Sequence, residues 1–67
     1  MGGTMYFIIY KDNRGEWRWK YRAANHEDIA VSSEGYKTKQ GALNGIELVM
    51  KANTARIYDD SQKLWLN

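Results

Sequence analysis

Arg18, Lys20 and Arg22 stand at every second position of one segment, with Glu16 ahead of them at the same spacing. That period places all four on one face of a β-strand. Three cations in a row can track a phosphate backbone, and aromatic rings beside them add about 1–3 kcal/mol per stacked base. The alternation assigns Phe7 and Ile9 to the same face, which nominates a single-stranded nucleic-acid surface. A plainer reading is a solvated outer sheet face, with long Arg and Lys stems covering Phe7 and Ile9. The plainer reading is preferred. A net charge of +2 is low for a dedicated nucleic-acid binder, and the Lys/Arg-Gly-Phe motif of an RNA-recognition sheet is missing.

Other clusters carry less. His26-Glu27-Asp28 holds residue types suited to acid–base or metal chemistry, but neighbours in a turn point in different directions. One His and no Cys exclude a His-rich or thiolate metal site, and no HExxH pattern occurs. Ser32-Ser33-Glu34 offers a nucleophile type without a base placed to activate it. Lys37-Thr38-Lys39 precedes a helix, where phosphates bind well, yet the Gly-rich Walker spacing is absent. Trp17, Trp19 and Tyr21 could line a ligand pocket, although core packing is the commoner use of such residues. Asp59-Asp60 reads as a solvated turn. No catalytic, cofactor-binding or metal constellation emerges, and a non-enzymatic protein is expected.

The elements that would position these residues follow from periodicity. Tyr6–Lys11 reads as a strand, and Asp12-Asn13-Arg14-Gly15 as a turn. Glu16–Ala23 alternates strictly, with Trp17, Trp19, Tyr21 and Ala23 on the face opposite the cations. A tight hairpin through Asn13-Arg14 predicts Lys11 opposite Glu16, Tyr10 opposite Trp17 and Ile8 opposite Trp19. Ala24-Asn25-His26 forms a three-residue loop with His26 in the left-handed region. That loop leads to a third strand over Glu27–Ser33, which places Ile29 and Val31 on the Trp19–Tyr21 face. Thr38 is the expected N-cap of a helix over Lys39–Ala52. Ala42, Leu43, Ile46, Val49 and Met50 form its apolar arc, and Asn53 its left-handed stop. Ala55–Asp59 reads as a fourth strand.

Sixty-seven residues allow one small domain, whose core is marginal at this size. Such domains recruit disulfides, metals or a partner subunit. Without cysteine, self-association is the device left over. Three Trp, five Tyr and one Phe exceed what one helix on one sheet covers. Leu64-Trp65-Leu66 at the chain end calls for a packing partner. No apolar run approaches the ~20 residues of a membrane span. No signal-peptide pattern opens the chain, so residues 1–5 read as a loose leader to a domain over 6–67, and cytoplasmic residence is the default.

The middle of the chain carries a recognisable pattern. Ala23-Ala24-Asn25, Ile29, Ser33-Glu34-Gly35-Tyr36, Thr38-Lys39, Ala42, Asn44-Gly45-Ile46-Glu47 and Val49 resemble the YegP-like family, small bacterial proteins without an established activity. Tyr10-Lys11-Asp12 and Gly15-x-Trp17-x-Trp19 also fit. Two departures stand out: His26 replaces a commoner Gly, and one extra residue lies between Asn25 and Tyr36, as a bulge in the third strand would require. The segment after Asn53 has no clear counterpart. The resemblance implies an α+β fold, an antiparallel β-β-β-α-β unit with one helix packed on the sheet. Such units occur as tandem repeats or as two subunits, with the final strand exchanged into the partner's sheet. A single unit therefore implies a homodimer that exchanges the strand around Arg56–Asp59. Ile57, Tyr58, Leu64, Trp65 and Leu66 are its expected contacts. Gly45 and Leu48 join them if the small-residue strip Gly41, Gly45, Ala52 serves a helix–helix contact rather than packing on its own sheet. No cofactor is expected. Weak single-stranded nucleic-acid binding through Arg18, Lys20 and Arg22 is the alternative function.

Overall fold

Strands β1 (Tyr6–Lys11) and β2 (Trp17–Arg22) pair antiparallel about a loop whose geometry is set by Gly15. The computed structural model describes residues 3–67; the first two residues of the expected leader lie outside them. Gly15 has φ +78°, a left-handed conformation that costs glycine nothing. The Asp12 N–H therefore donates to Glu16 O at 2.9 Å and the Gly15 N–H to Asp12 O at 3.0 Å. This is a three-residue loop, one longer than the tight turn expected from Asn13-Arg14. The extra residue shifts the register: Tyr10 pairs with Arg18, Ile9 with Trp19 and Phe7 with Tyr21. A shift of one position reverses the faces of β1 relative to β2. Phe7 and Ile9 thus join Trp19 on the inner face, and Tyr6, Ile8 and Tyr10 share the outer face with the cations.

The second turn matches its expectation. His26 has φ +71°, and Ala23 N–H donates to Glu27 O at 2.8 Å. Beyond it, β3 (Asp28–Val31) is interrupted by the bulge that the extra residue requires. Arg22 faces Asp28, but Tyr21 faces Ala30 and Lys20 faces Val31. The bulge corrects the expected placement of Ile29 and Val31 on the Trp face, and both are exposed. Ser32 is buried instead, where its N–H donates to Trp19 O at 2.9 Å.

Helix α1 (Lys39–Met50) crosses β2 and β1. Thr38 caps it: its Oγ1 accepts from the Gly41 N–H at 3.0 Å. The helix ends two residues earlier than its periodicity suggested and tightens into a 3-10 turn over Lys51–Thr54. Asn53 is not left-handed; the chain leaves through Ala55 in an extended conformation. The buried core is Trp19, Ala42 and Ile46, with Phe7, Ile9, Trp17, Tyr36 and Leu43 packed around it. Gly45 lies against this core. A Cβ there would sit 2.8 Å from Tyr36 Oη and 3.0 Å from Trp19 Nε1.

The fourth strand is shorter than expected and has a local partner. β4 (Tyr58–Asp59) pairs with β5 (Leu64–Trp65) as a second, two-stranded sheet. Among the described residues, neither strand touches any other strand or helix. The radius of gyration is 14.4 Å, against about 11 Å for a compact chain of this length.

Gly45→Leu forces a branched side chain against buried Trp19, with an expected loss of about 1–3 kcal/mol. Thermal unfolding reads this as a drop of several degrees; an unchanged midpoint would refute the close approach.

Candidate functional site

The outer sheet face carries a lattice of paired charges. Arg18 Nε donates to Asp12 Oδ2 at 2.7 Å. Asp12 also accepts the backbone N–H groups of Arg14 at 2.8 Å and Glu16 at 3.0 Å, as the turn around Gly15 allows. Arg22 Nε donates to Asp28 Oδ1 at 2.9 Å, and Lys20 Nζ lies 3.4 Å from Asp28 Oδ2. Lys20 also stands over the Tyr10 ring, 5.4 Å from its centroid. The structure thus brings Arg18, Lys20 and Arg22 together as expected and surrounds them with carboxylates. The Arg18 hydrogen bond, aided by the Glu16 N–H, holds the Asp12 carboxyl below the ordinary 3.8. The Arg22 hydrogen bond does the same for Asp28, with the Lys20 charge adding to it.

Among the described residues, no cluster of three or more His, Cys, Asp and Glu side chains could hold a metal ion. Within the segment His26-Glu27-Asp28, His26 meets Tyr6, whose hydroxyl lies 2.8 Å from Nδ1, while Asp28 faces the cations. Among the described residues, no helix is long and apolar enough to cross a membrane.

The expected interface residues divide into two groups. Gly45 faces the chain's own Trp19 and Tyr36. Leu48, on the helix surface, is 69% exposed. Ile57, Tyr58, Leu64, Trp65 and Leu66 all lie on the C-terminal hairpin, and all are exposed. Cross-strand pairing sorts them onto two faces, because side chains alternate along a strand. Tyr58 and Trp65 share one face, with ring centroids 5.0 Å apart. The Arg56 guanidinium stacks on Trp65 at 4.3 Å. Ile57, Leu64 and Leu66 occupy the other face, tied by Leu66 N–H donating to Ile57 O at 2.8 Å. Asn67 closes the open end: its Oδ1 accepts from the Ile57 N–H at 2.7 Å.

Sequence reasoning missed an open groove on the molecule. A groove of about 430 Å³ opens between Phe7 and Tyr21 on the sheet and Val49, Met50, Ala52 and Asn53 at the helix end. Val49 and Met50 belong to the apolar arc, so periodicity assigned them to covered positions. The early 3-10 turn, which has no strong sequence signal, leaves them over open space. The Arg56–Trp65 stack was missed too, since it depends on a cross-strand register.

The sequence that builds this sheet and capped helix matches known proteins. Residues 12–59 match the family described as a domain of unknown function, DUF1508. The chain belongs to the DUF1508 family. A UPF0339 protein from Neisseria meningitidis serogroup B is 53% identical over 51 residues, covering 76% of this chain and 88% of that protein. A UPF0339 protein from Methanosarcina acetivorans is 44% identical over 52 residues, with the same coverage. A longer relative from Stutzerimonas stutzeri, described as a UPF0339 protein in the ptx operon 5′ region, is 51% identical over 51 residues. That match covers 76% of this chain and 43% of the relative. This is the family the YegP-like resemblance indicated, and the Methanosarcina relative extends it beyond bacteria.

The ion pairs of this DUF1508 chain set an acid dependence. A carboxylate whose folded pKa is depressed contributes stability above its unfolded pKa and loses that contribution as pH falls through the folded value. The melting temperature is therefore expected to decline below about pH 4, and Asp12→Asn to flatten part of that decline. Equal acid slopes for the two proteins would refute a stabilising role for Asp12.

Proposed function

We propose that this DUF1508 chain is a non-enzymatic homodimeric interaction module, in which the C-terminal hairpin of each copy is exchanged onto the other. One observation carries the reading: among the described residues β4 and β5 touch no other strand or helix, yet they present exposed apolar side chains on both faces. An isolated two-stranded hairpin is marginal in water and needs a surface to lie on. Area supports the same reading. The chain exposes 5463 Å², whereas a compact protein of this mass exposes about 4400 Å². The excess is roughly 1000 Å² per copy, or about 2000 Å² per pair, the size of a stable interface. The Stutzerimonas relative, of which the match fills 43%, has room for a second unit in one polypeptide.

A second reading keeps the outer sheet face as a weak single-stranded nucleic-acid surface through Arg18, Lys20 and Arg22. The observed register favours it in one respect, because Tyr6 and Tyr10 replace Phe7 and Ile9 beside the cations. Binding would have to compete with the Asp12 and Asp28 ion pairs. Titration of fluorescent oligonucleotides at low salt tests this reading, and a flat titration eliminates it.

Light scattering across a dilution series decides the dimer. The expected mass is twice the 7.8 kDa of the chain, and Leu66→Asp is expected to move it toward the single-chain value. A wild-type protein that scatters as one chain at every concentration would overturn the proposal.

A further inference from the structure

We infer that the end of the sheet around Trp17, where Lys11 and Lys39 stand over one indole, is a contact surface for single-stranded nucleic acid. This rests on the second reading above for the ligand class and assigns it to a different surface. Ion pairing among the described residues singles out this end. Arg18, Lys20, Arg22 and Lys63 each face a carboxylate, and Arg56 donates to Asn67 O at 2.9 Å. The cations without such a partner are Lys11, Arg14, Lys37, Lys39 and Lys51. All except Lys51 belong to two stretches of chain, the turn that follows β1 and the segment that leads into α1. All four are exposed.

Backbone pairing brings the two stretches together. The Trp17 N–H donates to Tyr36 O and the Tyr36 N–H to Trp17 O, each at 2.7 Å. The approach to α1 is thereby tied to the first residue of β2. Lys11 is the cross-strand partner of Trp17, and such partners share a sheet face. Lys39 is the first residue of α1. The two ammoniums lie 5.2 and 5.7 Å from the centroid of the Trp17 ring. Glu16 does not neutralise them; its side chain rests against Gly35. Lys39 also opposes the helix dipole, and the first turn holds no acidic residue to offset it. A second ammonium at the same ring adds like-charge repulsion. An anion at this place relieves both strains.

A single strand fits the surface better than an acidic peptide does. Its phosphates supply negative charge, and its bases supply the planar faces that stack on an aromatic ring. Lysine stems are flexible, so each ammonium can swing from the ring to a phosphate and leave the half-buried indole to a base. An acidic peptide would neutralise the lysines without using the indole. The outer sheet face has the opposite balance, because a phosphate there must displace Asp12 or Asp28 from its cation.

Anisotropy of a fluorescent oligothymidylate, titrated at low salt and along a salt series, tests the surface. Each phosphate contact contributes about 0.7 to the slope of log K against log salt for a single strand. Lys11→Gln combined with Lys39→Gln is expected to lower that slope by about 1.4 and to weaken low-salt binding at least about 10-fold, while Lys51→Gln changes binding less than about twofold. Quenching of indole fluorescence by the unlabelled strand is expected to be largely lost in Trp17→Phe, which keeps a ring in the packing. Oligoglutamate of equal charge is expected to compete at least about 10-fold less well than the strand. A loss in Lys51→Gln as large as in Lys11→Gln or Lys39→Gln alone overturns the surface, as does quenching that survives in Trp17→Phe. Losses confined to Arg18→Gln and Arg22→Gln overturn it too and leave the nucleic-acid reading standing. Equal competition by oligoglutamate overturns the choice of nucleic acid over an acidic peptide. A wild type that binds no strand overturns both the surface and the reading on which it rests.

Discussion

The helix rests on one indole. Trp19 is the large side chain of the buried core, and α1 reaches it through the small positions Ala42 and Gly45, with Ile46 alongside. The indole Nε1 and the Tyr36 hydroxyl occupy the space that a Cβ at Gly45 would take. Gly inside a helix costs about 1 kcal/mol relative to Ala; here the missing side chain sets the helix–sheet distance. Trp19 also fixes the sheet. Its backbone accepts from Ser32, and Ile9 stands directly across from it on β1. Displacing this ring would loosen the helix seat, the third strand and the inner face together.

A core of this size satisfies only one end of the molecule. The helix covers β2 and β1 around Trp19, then tightens at Lys51 before its apolar arc has run out. Val49 and Met50 consequently look over a groove, and the chain continues into a hairpin with apolar side chains on both faces. These two features belong to one physical situation. A short chain cannot bury all its aromatic and aliphatic surface by folding on itself, and here the surplus lies on two separate surfaces. The outer sheet face follows a different logic. Its cations are held by Asp12 and Asp28, and those carboxylates are positioned by the first turn and the start of β3. The same Asp12 that builds the turn by accepting N–H groups neutralises Arg18 on the adjoining strand.

Features that depend on a few neighbouring residues were legible from the residues alone. His26 adopts the left-handed position its loop demands, Thr38 caps the helix, and the extra residue before Tyr36 becomes a bulge. Each of these is decided within a turn of chain. The β1–β2 register was not legible, because two-residue and three-residue loops both fit Asp12-Asn13-Arg14-Gly15. The left-handed Gly15 selects the longer one and reverses the faces of β1. The C-terminal hairpin was hidden for a related reason. Its loop carries no Gly, and the left-handed residue is Lys63, at φ +57°, a type that gives no signal for that conformation.

The sequence by itself determined the α+β class, the three-strand-then-helix order, the helix start and the membership of DUF1508, since alternation, capping chemistry and residue pattern are local. It also determined that apolar surface would be left over, because composition counts aromatics wherever they lie. Only the tertiary structure decided which residues share a face and where the surplus falls. Register is set by pairing across strands, and a single left-handed residue moves every side chain of a strand to the other side of the sheet. The open groove lies between the sheet and the helix end, and its shape exists only once the helix is seated on the sheet.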